Sequence, residues 1–229
     1  MLLSHDKKFI FIHVYKTAGT SVRQQFLPYC RPLDRLVYDF PISRKMVVGM
    51  NKVFGLQNDG NRKFTGFHKH EAASVVKEKL GATLWNDYYS FAFVRNPFDW
   101  LTSLYFYIRQ SPSHVHHERA NALDFSDWLQ WYIYEHGFQL QSKYVADENG
   151  IVLVKKLGRF ERLSDDIAEI SKQLGIPFEN VKHKNASRQK KRDFRSYYSD
   201  ADRELVELKY ASDLSLFNYH FDTPQTKDV

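Results

Sequence analysis

A chain of 229 residues with 43% hydrophobic and 26% charged residues has enough apolar material for one large core, and one domain spanning 1–229 is expected. No apolar run approaches the ~20 residues of a membrane span. The single Cys30 excludes an intramolecular disulfide framework. With a start, MLLSHDKKFIFIHVYK, that lacks the charge order and cleavage site of a signal peptide, it suits a reducing, cytoplasmic compartment, with a truncated lumenal enzyme as the alternative reading.

In chain order, Phe9-Ile10-Phe11-Ile12 carries no charge and reads as a buried strand. It stops at Lys16-Thr17-Ala18-Gly19-Thr20-Ser21, and Ser21 to Leu27 reads as the first turns of a helix. Strand, small polar loop and helix together build an anion cradle. The helix start leaves N–H groups free, and glycine lets the backbone approach an oxyanion closely. A Walker A loop requires G-x-x-x-x-G-K-[ST]; here the lysine precedes the glycine and no glycine opens the loop, so a nucleoside triphosphate site fits poorly.

Residues 62–67 read as a short strand, and Glu71 to Leu80 as a helix closed by Gly81. Tyr89 to Arg95 reads as a second buried strand. Asn96 caps the next helix with Pro97 at its first position, and Phe98, Leu101, Leu104, Tyr105 and Ile108 form its apolar side. Phe125 to Tyr134 is predicted helical, Ile151 to Lys155 a strand, and Ser164 to Leu174 a helix ended by Gly175 and Pro177. Ser199 to Leu214 is predicted as one helix, with Ser199 and Asp202 spaced as a capping box. This alternation predicts an α/β fold, with a central, mostly parallel sheet flanked by helices. The stretches 49–61 and 111–121 read as loops.

Arg95 stands at the C-terminal end of an apolar strand, where open α/β sheets place ligands. Ser103 follows eight residues later, about two helical turns on. An arginine and a hydroxyl so placed can share one phosphate, the guanidinium by a forked contact. Either residue alone is more often a plain surface side chain. The two constellations together resemble the PAPS-dependent sulfotransferases (PAPS is 3′-phosphoadenosine 5′-phosphosulfate). Lys16 to Ser21 is similar to their 5′-phosphosulfate loop, and V-R-N-P-x-D-W-x-x-S-x-Y from Val94 to their 3′-phosphate element. Gly66-Phe67-His68-Lys69-His70 is similar to a Y-H-G-H segment in the carbohydrate branch, which includes heparan sulfate 2-O-sulfotransferases. The close, Tyr210-Ala211-Ser212-Asp213-Leu214 with Phe217-Asn218-Tyr219-His220-Phe221, looks like that of bacterial and chondroitin-type members. Tyr15 stands where those relatives carry proline, His13 where some carry arginine, and Asn218 where glycine is common.

The resemblance implies a P-loop-like fold and sulfuryl transfer from PAPS to a hydroxyl, a carbohydrate's in that branch's pattern, without a metal. It implies that Lys16, Thr17, Ala18, Gly19, Thr20 and Ser21 hold the 5′ end, Arg95 and Ser103 the 3′-phosphate, and His70 the acceptor proton, with His68 as its neighbour. If extended, His68 and His70 project to one face. Val181 to Arg195 holds seven Lys/Arg and one Asp, as much net charge as the whole chain. A solvated charge run is the default reading. The resemblance makes Ser187, Arg188 and Lys190 candidates for closing over the cofactor, and no nucleic-acid-binding pattern accompanies the run. His114, His116 and His117 read as an acceptor-side loop rather than a catalytic metal site. Two other readings stay open: a P-loop-like kinase using ATP, and a non-catalytic binder of polyanions.

Overall fold

A computed structural model describes residues 1–32, 35, 67–178 and 193–223. Their sheet has four strands in the order β1 (Leu2–Ser4), β2 (Phe9–Ile12), β3 (Tyr89–Val94) and β4 (Lys156–Arg159). β2, β3 and β4 run parallel, while β1 pairs antiparallel with β2 at the edge. Leu2 and Leu3 are too short a run to announce a strand by periodicity, and β1 was not expected.

Period-two alternation sorts the strand residues into two layers. Phe9, Phe11, Phe91 and Phe93 pack with Val22 and Phe26 of α1 (Gly19–Phe26) and with Ile167 and Ile170 of α8 (Leu163–Gln173). Ile10, Ile12, Ala92 and Val94 face the other way. They meet Ala73 and Val76 of α2 (Ala73–Leu80) and Trp85 of α3 (Ala82–Asp87). Helices thus cover both faces, as a buried parallel sheet requires. A third cluster joins α4 (Pro97–Arg109) to α6 (Phe125–Trp131) and α9 (Asp200–Lys209) through Leu101, Trp128 and Val206.

Four expectations shift. The strand predicted at Ile151 to Lys155 lies one segment later, at Lys156–Arg159; Val152 makes only an isolated bridge to Ala146. Arg159 gains its place because its N–H donates to Asp166 and its guanidinium to the Phe217 carbonyl, contacts that hydropathy does not register. The helix predicted from Ser199 to Leu214 breaks at Tyr210 into α9 and α10 (Ala211–Phe217), though its Ser199/Asp202 capping box forms. The helix predicted over 125–134 changes to a π-helix at Tyr132–Gly137. The stretch read as a loop over 111–121 contains α5 (His117–Ala122). The strand predicted over 62–67 lies outside the described residues except for Phe67.

The register ends the three parallel strands together: Ile12 pairs with Ala92, and Val94 with Arg159. The loops leaving β2, β3 and β4 therefore meet along one edge, the carboxyl edge where open sheets bind ligands.

Candidate active site

The loop after β2 is held in an unusual backbone. Lys16 and Ala18 both take left-handed φ, 60° and 63°, which costs non-glycine residues of order 1–3 kcal/mol each. Left-handed residues interleaved with ordinary ones turn successive N–H groups inward as an anion-binding concavity. Ala18 caps α1 without a side-chain hydrogen bond, so the first N–H groups of that helix, at Gly19, Thr20 and Ser21, have no intrahelical acceptor. The Thr17 side chain is buried, and its hydroxyl donates to the Val14 carbonyl at 3.0 Å. Thr17 thus tightens the loop, and what it offers an anion is its backbone N–H. Thr20 is exposed and Ser21 buried.

The Lys16 ammonium lies 4.2 Å from the centroid of the Tyr107 ring. Burial, and then the nearby Arg95 charge, push its pKa down to about 8. Arg95 is itself 6% exposed. Its Nε donates to Asp99 at 2.6 Å, its Nη1 to the Lys16 carbonyl at 3.4 Å, and its guanidinium carbon lies 3.8 Å from the Phe160 ring centroid. The loop after β2 and the end of β3 are therefore tied by one side chain. Asp99, Ser103 and Tyr107 recur every four residues on α4 and share a face. The first holds Arg95, the last underlies Lys16, and the buried Ser103 sits between them in register.

Residues missed in the sequence support this edge. Gln141 pairs with the Arg95 peptide in both directions: the Arg95 N–H donates to its Oε1 at 3.0 Å, and its Nε2 donates to the Arg95 carbonyl at 2.7 Å. Asp213 accepts from the Gln141 and Ser142 N–H groups at 2.6 and 3.0 Å. Burial raises the Asp213 pKa, against those hydrogen bonds. Asn96 caps α4 by accepting from the Phe98 N–H, and it donates to the Glu161 carboxylate and the His220 carbonyl. Glu161 also accepts from the Tyr219 hydroxyl at 2.6 Å. The chain close at 210–221 thus clamps the edge, and Asn218 supplies the left-handed turn (φ 52°) that it needs. An aspartate in Y-x-x-D gives no sequence sign that its partner is residue 141.

His70 Nδ1 lies 2.8 Å from the His13 carbonyl, and its ring meets His13 at 4.4 Å and Tyr15 at 5.4 Å. A carbonyl only accepts, so in the neutral ring the proton sits on Nδ1 and the basic lone pair on Nε2. Trp100 Nε1 donates to the Tyr15 carbonyl at 2.6 Å, fixing the segment that carries both contacts. The His68 N–H donates to Glu71. The His70 ring reaches the cradle through Tyr15. Ser187, Arg188 and Lys190 lie outside the described residues. Among the described residues, no group of three or more His, Cys, Asp or Glu side chains is arranged to hold a metal ion, and no helix is long and apolar enough to cross a membrane.

The model of a family described as the sulfotransferase family matches residues 1–220. The chain is a member of that family. This sulfotransferase is also 29% identical over 111 residues to an uncharacterized protein of Archaeoglobus fulgidus, covering 47% of its own length and 84% of the relative's. No solved structure matches it. The match spans β2, the cradle, β3, α4 and nearly all of the clamp, so the geometry above belongs to the part of the sulfotransferase that defines its family.

Proposed function

We propose that this sulfotransferase moves a sulfuryl group from PAPS to a hydroxyl of a carbohydrate, with His70 as the base. The observation that carries the reading is the Arg95 guanidinium bonded to the Lys16 carbonyl, which joins two anion-receptive elements at one carboxyl edge. A ligand with anionic groups at both ends would engage both elements. In support, the Gly19–Ser21 N–H groups and Lys16 fit a 5′-phosphosulfate, and Arg95 with Ser103 fits a 3′-phosphate.

The chemistry balances without a further reactant. The acceptor oxygen bonds to sulfur as the bond from sulfur to the bridging oxygen breaks, and the acceptor proton passes to Nε2 of His70. Lys16 neutralises the charge that grows on the departing phosphate oxygen. At pH 7 a lysine titrating near 8 is still mostly protonated, so its charge is available. Positioning and electrostatics carry the rate, as in phosphoryl transfer.

Calorimetry with PAP (3′-phosphoadenosine 5′-phosphate), with ATP and with added EDTA tests the reading. PAP should bind with or without the chelator and ATP should bind far more weakly. ATP binding that requires magnesium would replace this reading with a kinase.

A further inference from the structure

A continuous lane of rings leads away from His70. Its ring meets Tyr15 at 5.4 Å, Tyr15 meets Tyr107 at 6.0 Å, and Tyr107 meets His114 at 6.0 Å. His114 meets His116 at 5.6 Å, and His116 meets Trp131 at 5.1 Å and His136 at 4.3 Å. None of these rings from Tyr15 onward is fully buried; Tyr107 and His136 are exposed. Tyr15 and Trp131 rest against the core cluster of α4, α6 and α9, and the lane is its part-exposed margin.

The far end of the lane depends on a special backbone. Trp131 and His136 stack at 5.4 Å with an interplanar angle of 14°. Five residues apart on an α-helix, they would point about 140° apart. The π-helical turn at Tyr132–Gly137 brings them into line. Such turns are uncommon and concentrate at functional sites. Burial, and then the neighbouring imidazoles, lower the pKa of both His114 and His136, so near neutral pH these rings present hydrogen-bonding nitrogens rather than fixed charges.

We propose that Tyr15, Tyr107, His116, Trp131 and His136 form the acceptor subsite, a stacking lane that takes the pyranose rings of a saccharide and delivers one hydroxyl to His70. Successive rings meet mostly edge to face, at 81°, 82° and 87° from His70 through Tyr15 and Tyr107 to His114, so the lane offers part-covered apolar faces to the C–H face of a sugar and phenol and imidazole edges to its hydroxyls. The inference deepens the carbohydrate reading above and rests on it for the delivery step, while saccharide binding itself can be measured without PAPS.

Trp85, Trp100 and Trp128 are buried, so fluorescence quenching by a ligand reports chiefly on Trp131. The probes are cellotetraose, chondroitin tetrasaccharide and 2-naphthol, with PAP binding measured in parallel by calorimetry. At least one tetrasaccharide should quench. Trp131→Ala, followed by calorimetry, should weaken that binding about tenfold, the scale of one lost aromatic contact. His136→Gln, a change at an exposed position that keeps a polar group, should weaken it about threefold. PAP affinity should be unchanged in both variants, which also shows that they fold. Tetrasaccharide affinity equal to wild type in both variants overturns the subsite and leaves the PAPS reading standing. Binding of 2-naphthol alone, or of no probe, overturns the saccharide class. Trp131-dependent saccharide binding without any PAP binding upholds the lane and overturns the PAPS reading.

Discussion

The imidazole of His13 occupies the space that a side chain at Gly19 would need: a Cβ built on Gly19 would fall 1.6 Å from His13 Nε2. His13 is 6% exposed, so its ring cannot swing into solvent to yield. The glycine is required by this close approach and not by a left-handed φ, which the loop instead places on Lys16 and Ala18. Gly19→Ala should destabilise the protein by about 1–3 kcal/mol, the usual cost of overpacking, and lower PAP affinity by distorting the cradle. The double variant His13→Ala/Gly19→Ala should recover much of both losses. Thermal unfolding and PAP calorimetry on the two variants measure this, and a single variant as stable as wild type would refute the packing account.

Lys16 gives a pH prediction. Its folded pKa, about 8, lies below the unfolded value of about 10.5, so between those values the unfolded chain binds more protons. Stability contributed through this group should therefore rise as pH rises from about 8 toward 10.5, and Lys16→Met should flatten that rise. A bound anion stabilises the ammonium, so PAP binding near pH 8.5 should take up protons in the wild type and fewer in Lys16→Met. Calorimetry in buffers of different ionisation enthalpy reads the uptake. Turnover by Lys16→Ala should fall by roughly 10²–10³ while PAP binding survives in part.

The 3′-phosphate assignment is tested by comparing PAP with adenosine 5′-phosphosulfate, which lacks that phosphate. Ser103→Ala should weaken PAP by about 1–2 kcal/mol and barely affect the comparison ligand. Arg95→Ala should show the same preference, with an added loss of stability because it removes the guanidinium from the buried Asp99. Equal weakening of both ligands would reduce Arg95 and Ser103 to supports of the fold.

Much of the layered fold was legible because β2 and β3 are short apolar runs without charge, and the alternation of strands and helices leaves few topologies. The residues of the candidate edge were legible for the same reason: Lys16 and Arg95 each end such a run. What stayed hidden depends on contacts distant in sequence. Gln141 is an ordinary polar residue until it faces Arg95, 46 positions away. The π-turn at Tyr132 keeps the apolar pattern of an α-helix, so periodicity assigns the wrong turn. β4 carries Lys156 and Arg159, whose charges are met by Glu169 and by the Phe217 carbonyl, and hydropathy therefore favours the preceding Ile151–Lys155.

That hidden support makes a prediction of its own. Gln141→Leu leaves both backbone groups of Arg95 without their amide partner in a buried site, at about 1–3 kcal/mol each. Stability should fall accordingly, and PAP affinity should fall with it because the strand end that aims Arg95 is released. Denaturant unfolding checks the first effect. An unchanged midpoint would show that the pairing is not maintained in solution.

The last prediction concerns His70. Its Nδ1 is held by the His13 carbonyl, so the base is Nε2 and a substitute must keep one nitrogen at each place. His70→Ala should abolish transfer while leaving PAP affinity nearly intact, because the base meets the acceptor hydroxyl and not the nucleotide. His70→Gln can keep the contact to His13 but has no basic nitrogen, so it should be as inactive as His70→Ala though better folded. His68→Ala should be milder, because the proposed mechanism passes the acceptor proton to His70. Activity of the wild type should rise with pH as an imidazole loses its proton, because only the neutral ring accepts one. The pH profile and the variants must be measured on the same acceptor, so that titration of the acceptor is common to all. Wild-type turnover in His70→Gln would move the base elsewhere, with His68 the next residue to test.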